Sequence, residues 1–202
     1  MNTFYIIRHG ETENNRHGRL SGWIDTPLTD TGLEPTKRVI TQLKNVPITH
    51  IYSSDLGRAF VTAYVLARGI GYQTEIIRLP GLREVNYGDA ANMLRAEAYA
   101  RYPQIDNDTH YTPPNGESLA DMQLRVLTTM HDLDTKHTDA VIAIVAHSGV
   151  LAALNAQYLG NDFGHHNISE AYAHDYVGIM TIADDSVVSF EKFSAQAIES
   201  RS

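Results

Sequence analysis

The chain contains no cysteine among its 202 residues. Disulfide bridges, thiolate catalysis and cysteine-bound zinc are excluded by that absence. Long apolar runs are missing too, and nothing approaches the roughly 20 residues that a membrane-spanning helix needs. Positive charge is scarce: 16 Lys and Arg face 24 Asp and Glu, a formal net charge of −8. So acidic a chain is a poor match for nucleic acid or an acidic membrane, and neither is expected as a partner. A basic pocket within it would stand out for the same reason. Tryptophan occurs once, and no signal-like basic start with an apolar segment precedes the first strand-like run. A cytoplasmic location is the expectation. Nothing in the sequence sets an oligomeric state.

What is present is ordinary in bulk, with 43% hydrophobic and 20% charged residues, and is organised by alternation. The spacing predicts a strand over 3–8 and a helix over 33–44, with Pro35 placed in its first turn, where a missing N–H is tolerated. A short strand at 50–53 leads into a helix over 56–69, with Asp55 as its cap and Gly69 and Gly71 as its stop. Residues 73–79 alternate as a half-wet strand, and 117–137 read as a long helix. The continuous apolar run Ala140 to Ala146 has the pattern of a central strand buried on both faces. A helix of small and apolar residues follows over 149–159, then a strand pair at 177–183 and 186–193. Its turn is placed at Ala183-Asp184-Asp185-Ser186, and the last nine residues are expected to fray. Residues 80–116 hold seven prolines and glycines and a short helix near 91–102. They read as a lid over a site within one domain spanning 1–202, because no linker isolates them. This order predicts a three-layer α/β/α fold with a mostly parallel central sheet, helices on both faces and a small lid insertion.

Chemistry gathers at the predicted strand ends. Arg8-His9-Gly10 follows the first strand and His147 follows the most buried one. Arg58 lies near the start of a helix after another strand, and Glu84 just beyond the strand at 73–79. In open α/β sheets the binding crevice lies outside the carboxyl ends of the strands. Arginines suit phosphate oxygens, and a neutral imidazole serves as base, ligand or nucleophile. A carboxyl group can protonate a leaving oxygen.

These residues resemble the histidine phosphatase superfamily, which includes the cofactor-dependent phosphoglycerate mutases. The resemblance is carried by ordered blocks: Arg8-His9-Gly10-Glu11-Thr12 with Asn15; Asp25-Thr26-Pro27-Leu28-Thr29 with Gly32; Ser53-Ser54-Asp55-Leu56-Gly57-Arg58-Ala59 with Thr62-Ala63; Leu82-Arg83-Glu84 with Gly88; Pro113-Pro114-Asn115-Gly116-Glu117-Ser118; and Val145-Ala146-His147-Ser148-Gly149-Val150. It implies that His9 is the phosphorylated nucleophile. Arg8, Arg58 and His147 would bind the transferring phosphoryl group, and Asn15 would add a donor. Glu84 would protonate the leaving alkoxide and then activate water. No metal or other cofactor is implied, because arginines supply the charge.

The chain departs from the family pattern in places. Gly88 is followed by Asp89-Ala90-Ala91 where a Trp-Glu-Gly-like turn is usual, Pro35 replaces a helical glutamine, and Ser148 and Ala152 stand where many members have glycine and arginine. Ser148 is thereby a further candidate phosphate donor. Members that act as mutases are longer and carry an arginine pair in an added segment; here 85–112 holds only Arg95 and Arg101, not adjacent. The expected function is therefore a phosphomonoesterase acting on a small phosphorylated metabolite. The alternative is a mutase primed by a bisphosphoglycerate, and a third reading is a non-catalytic phospho-ligand module. Three simpler readings stand beside these: Arg58 pairing with Asp55 on a helix surface, Glu117 and Ser118 as a plain helix start, and Tyr99, Tyr102 and Tyr111 as lid packing. His165, His166 and His174 form the densest histidine group, read as a loop near the site mouth and not as a metal site.

Overall fold

Side chains alternate across a strand, so a run that is apolar throughout must be covered on both faces. In the computed structural model, which describes residues 1–161, 163–164, 172–183 and 186–192, six strands meet this demand in one sheet. They are β1 (Asn2–Arg8), β2 (His50–Ser53), β3 (Ile76–Arg78), β4 (Val141–Ala146), β5 (Val177–Ala183) and β6 (Ser186–Lys192), in spatial order β3-β2-β4-β1-β5-β6. The first four of that order run parallel, and β5 and β6 are antiparallel additions. The alternation in β4 sorts the two cores. Ile142, Ile144 and Ala146 face one core, and Ala143 and Val145 face the other.

The helices are α1 (Glu13–Arg16), α2 (Glu34–Leu43), α3 (Gly57–Ile70), α4 (Arg95–Arg101), α5 (Gln104–Asn107), α6 (Leu119–Lys136) and α7 (Ser148–Leu159). Val39 and Leu43 of α2 and Ala59, Ala63 and Leu66 of α3 cover one face of the sheet. Met122, Val126 and Met130 of α6 and the apolar side chains of α7 cover the other. No helix among the described residues is long and apolar enough to cross a membrane. Residues 80–116 form two short 3-10 turns, Pro80–Leu82 and Gly88–Ala90, followed by α4 and α5. They are tied to the loop after α1 by an Arg19↔Leu94 bridge and by the bond from Leu20 N to Met93 O (3.0 Å).

Most predicted elements stand within two residues of their expected bounds, and Pro35 sits in the first turn of α2. Three details differ. Asp55 does not cap α3: Leu56 holds the N-cap position without a side-chain bond, and Asp55 instead accepts two bonds from Arg83, at 2.8 and 2.6 Å. That pairing also removes Asp55 as the partner of Arg58. Gly69 does not stop α3. It lies inside the helix, where a Cβ would meet Ile40 Cδ1 at 2.4 Å, and the stop is Gly71 in the left-handed region at φ 79°. The strand expected over 73–79 shrinks to three residues at the sheet edge, with one pairing partner. Asp184 and Asp185 of the expected turn, the last nine residues, and His165 and His166 lie outside the described residues.

Candidate active site

Register places the two histidines. β1 and β4 are parallel neighbours with Arg8 opposite Ala146, so His9 and His147 leave the sheet side by side. His9 N donates to Ala146 O at 3.0 Å. Adjacent strands lie about 4.8 Å apart, and the two imidazole centroids are 5.1 Å apart in an edge-on arrangement. The His9 ring is locked by its own chain: Nδ1 donates to Gly10 O at 2.7 Å, which leaves Nε2 with the lone pair. Arg58 Nε donates to that Nε2 at 3.3 Å.

Arg58 is 97% shielded and held by backbone, with its terminal nitrogens donating to Gly22 O (2.7 Å) and Ile24 O (3.0 Å). Arg8 is buried and donates to Tyr172 O, while its Nε has no partner among the described residues. Burial is the first cause that lowers both guanidinium pKa values, Arg8 to about 10, so both remain cations at neutral pH. His9 is held well below 6.5 by burial and then by Arg58, Arg8 and His174, and His147 by burial and then Arg58 and His9. Both imidazoles are therefore neutral. His147 is fully buried, and neither of its ring nitrogens has a hydrogen-bond partner among the described residues.

Glu84 reaches this group from the segment after β3. Its Oε1 accepts from Val85 N (2.9 Å), and its Oε2 accepts from Gly149 N (3.1 Å) and Ser148 Oγ (3.3 Å) at the start of α7. Gly149 leaves room for this carboxylate, because a Cβ at that position would lie 1.9 Å from Glu84 Oε1 and displace it. Asn15 completes the group. It is the third residue of a capping box in which its Oδ1 accepts from Thr12 N and Thr12 Oγ1, so its amide N–H groups stay available.

Arg8, His9, Asn15, Arg58, Glu84 and Ser148 line one cavity, and His147 packs directly behind His9. Every residue assigned from the sequence is thus brought to one place. Gly10 packs against backbone, with a Cβ there meeting Gly32 O at 2.4 Å. The block around Asp25 and Gly32 serves that scaffold, with Asp25 Oδ2 accepting from Gly57 N at 2.9 Å and Thr29 N donating to Glu11 O at 2.9 Å. Ser118 is a helix start, capping α6 by accepting from Asp121 N, and Tyr99, Tyr102 and Tyr111 pack against the core.

Four contributors escape the sequence. Arg19 and Arg95 line the same cavity, and Arg95 Nε, like Ser21 Oγ, is buried without a hydrogen-bond partner among the described residues. Tyr87 is another lining residue; burial and Glu84 push its phenol well up, so it stays a donor. Arg125, in mid-α6, clamps the chain that leads into Glu84, donating to Gly81 O (3.1 Å), Arg83 O (2.7 Å) and Glu84 O (2.8 Å). Glu117 holds Arg125 in turn at 2.6 Å, so it does more than open a helix. Spacing alone gives no sign of this, for Arg125 reads as a surface helix charge 41 residues from Glu84.

An α/β sheet whose strand ends carry two neutral histidines, two buried arginines and one carboxylate defines a phosphate-handling class. The sequence profile of the histidine phosphatase superfamily (branch 1) matches residues 4–185, and the chain belongs to that family. Among curated relatives, it is 36% identical over 157 residues to phosphoglycerate mutase-like protein 4 of Arabidopsis thaliana, covering 74% of this chain and 67% of the relative. It is also 36% identical over 166 residues to glucosyl-3-phosphoglycerate phosphatase of Mycolicibacterium vanbaalenii, covering 77% and 73%. Among solved structures, the alpha-ribazole phosphatase of Shigella flexneri superposes with a TM-score of 0.79 at 27% identity, covering 92% of this chain and 93% of that one.

Proposed function

We propose that the protein is a metal-independent phosphomonoesterase that passes the phosphoryl group through His9. The observation that carries this reading is a neutral His9 with its Nε2 lone pair directed at Arg58, beside a buried Arg8 Nε and buried His147 ring nitrogens that have no hydrogen-bond partner among the described residues. Buried donors without partners are costly, and a tetrahedral oxyanion would satisfy them. In the proposed reaction the substrate phosphate enters the Arg8–Arg58–Asn15 cradle and displaces the Arg58 Nε bond from His9. Nε2 then attacks phosphorus, the bond from phosphorus to the alcohol oxygen breaks, and Glu84 gives that oxygen a proton. In the second half, Glu84 takes a proton from water, the hydroxide attacks the phosphohistidine, and phosphate leaves with His9 restored. Ser148 Oγ, bonded to Glu84 Oε2 and lining the cavity, is a further donor on that side.

Arg19 and Arg95 extend the cationic lining beyond what one phosphate needs. They favour a substrate with a second acidic group, such as a glycerate carboxylate, over a phosphate ester of an uncharged alcohol. Relatives named as mutase-like keep phosphoryl transfer between hydroxyls as the second reading. A panel of phosphomonoesters scored for phosphate release separates them. The expected result is release without a bisphosphoglycerate primer, undiminished by a chelator and fastest for carboxylate-bearing esters. Primer-dependent transfer between substrate hydroxyls that outruns release would favour the mutase reading.

A further inference from the structure

We infer that His174 is a positioning residue for the nucleophile, resting on the reading of His9 given above. Strand pairing brings it there. β5 runs antiparallel to β1, and their register ends at Ile7↔Val177. The residues just before Val177 therefore pass the end of β1, where Arg8 and His9 leave the sheet. The His9 carbonyl lies beyond that ladder, and the His174 side chain supplies a donor to it: His174 Nδ1 lies 2.6 Å from His9 O. Because a carbonyl only accepts, His174 carries its proton on Nδ1. The two rings are 5.7 Å apart between centroids and tilted by 57°.

The same short segment holds the other half of the motif, since Tyr172 O accepts from Arg8 Nη1. The segment is itself fixed at both ends of this contact. Asp175 Oδ2 accepts from Arg38 Nε of α2 at 2.8 Å, and the Tyr172 and Tyr176 rings meet edge-on at 5.0 Å. Around His174 stand Arg8, His9, Glu11 and Asp175. Burial and Arg8 outweigh the carboxylates and hold its pKa near 4, so at neutral pH it orients His9 without adding a charge beside it. His174 does not line the cavity, so it acts through the His9 peptide and not on substrate. His9 has its N–H on Ala146 and its Nδ1 on Gly10, and the His174 bond fixes its carbonyl. With all three held, Nε2 has one place relative to an incoming phosphorus.

The test uses rapid quench of the full chain with p-nitrophenyl phosphate, reading acid-labile phosphate on His9, alongside inhibition by inorganic phosphate. Misplacing a reacting atom by about 1 Å costs on the order of 10²-fold, so His174→Ala should slow labelling by about 10- to 100-fold while phosphate inhibition shifts by less than about threefold. His174→Asn keeps an N–H donor and should recover most of the rate. Should His174→Ala not fold, His174→Phe keeps the ring volume, removes the donor and carries the same expectation. Unchanged labelling in the donor-less variant overturns the assignment. So does a labelling loss matched by an equal loss of phosphate inhibition, or an Asn variant no faster than Ala. A wild-type protein that takes no label on His9 overturns the reading of His9 itself, a result distinct from labelled wild type with an indifferent His174.

Discussion

At the scale of single residues, the site depends as much on what is small as on what is charged. Gly149 lets the Glu84 carboxylate approach the start of α7 closely enough to accept from Gly149 N at 3.1 Å. Gly149→Ala places a methyl group 1.9 Å from Glu84 Oε1, so the carboxylate must move. The expected outcome is a kcat loss comparable to that of Glu84→Gln, about 10²- to 10⁴-fold for loss of general acid–base help. The thermal unfolding midpoint should change far less than for a core truncation. A Gly149→Ala variant with wild-type turnover would separate Glu84 from the chemistry. Arg8, His9, Arg58, Glu84 and His147 were legible in the sequence, because each follows a strand end or opens a helix within an ordered block. The bond from His174 to the His9 carbonyl and the clamp by Arg125 were not, although His174 reads as part of a loop near the site mouth, which is where it lies. The first reaches His9 only through the antiparallel pairing of β5 with β1, and the second reaches Glu84 from the middle of a helix. Arg19 and Arg95 sit on segments bridged to each other, a contact that neither sequence neighbourhood announces.

At the scale of elements, apolar pattern predicted what is buried and failed where packing decides. β4 was legible because a strand covered on both faces has no polar alternation to confuse it. Gly69 misled because a glycine near a helix end reads as a stop, whereas its role is close packing of α2 on α3 against Ile40. Gly69→Ala overpacks that contact and should cost about 1–3 kcal/mol in urea unfolding, leaving the kinetics of the fully folded enzyme untouched. A neutral or stabilising result would return Gly69 to the role of a replaceable helix residue. The three-residue β3 has the opposite cause. Lying at the edge with one neighbour, it has fewer ladder bonds to extend than its seven-residue polar-apolar alternation suggested.

For the whole molecule, an acidic chain of net charge −8 concentrates four arginines on one cavity with a single carboxylate. Keeping His9, His147 and His174 neutral among those cations links folding to pH. Each histidine has a folded pKa below its ordinary 6.5, so each takes up a proton on unfolding below that value. Their contribution to stability is full above about pH 6.5 and falls as pH drops toward their lowered folded values, which for His174 is about 4. Urea midpoints should therefore decrease from pH 7 to pH 4, with a shallower decline in His174→Asn; a profile flat over that interval would contradict the buried neutral assignment. The account's central claim is that His9 accepts the phosphoryl group. Mixing the protein with a radiolabelled phosphomonoester, quenching in base within milliseconds and mapping the peptides tests it most directly. The account predicts acid-labile, base-stable label on His9 alone, absent in His9→Ala together with turnover. Label on another residue, or a His9→Ala variant that still releases phosphate at the wild-type rate, would contradict it.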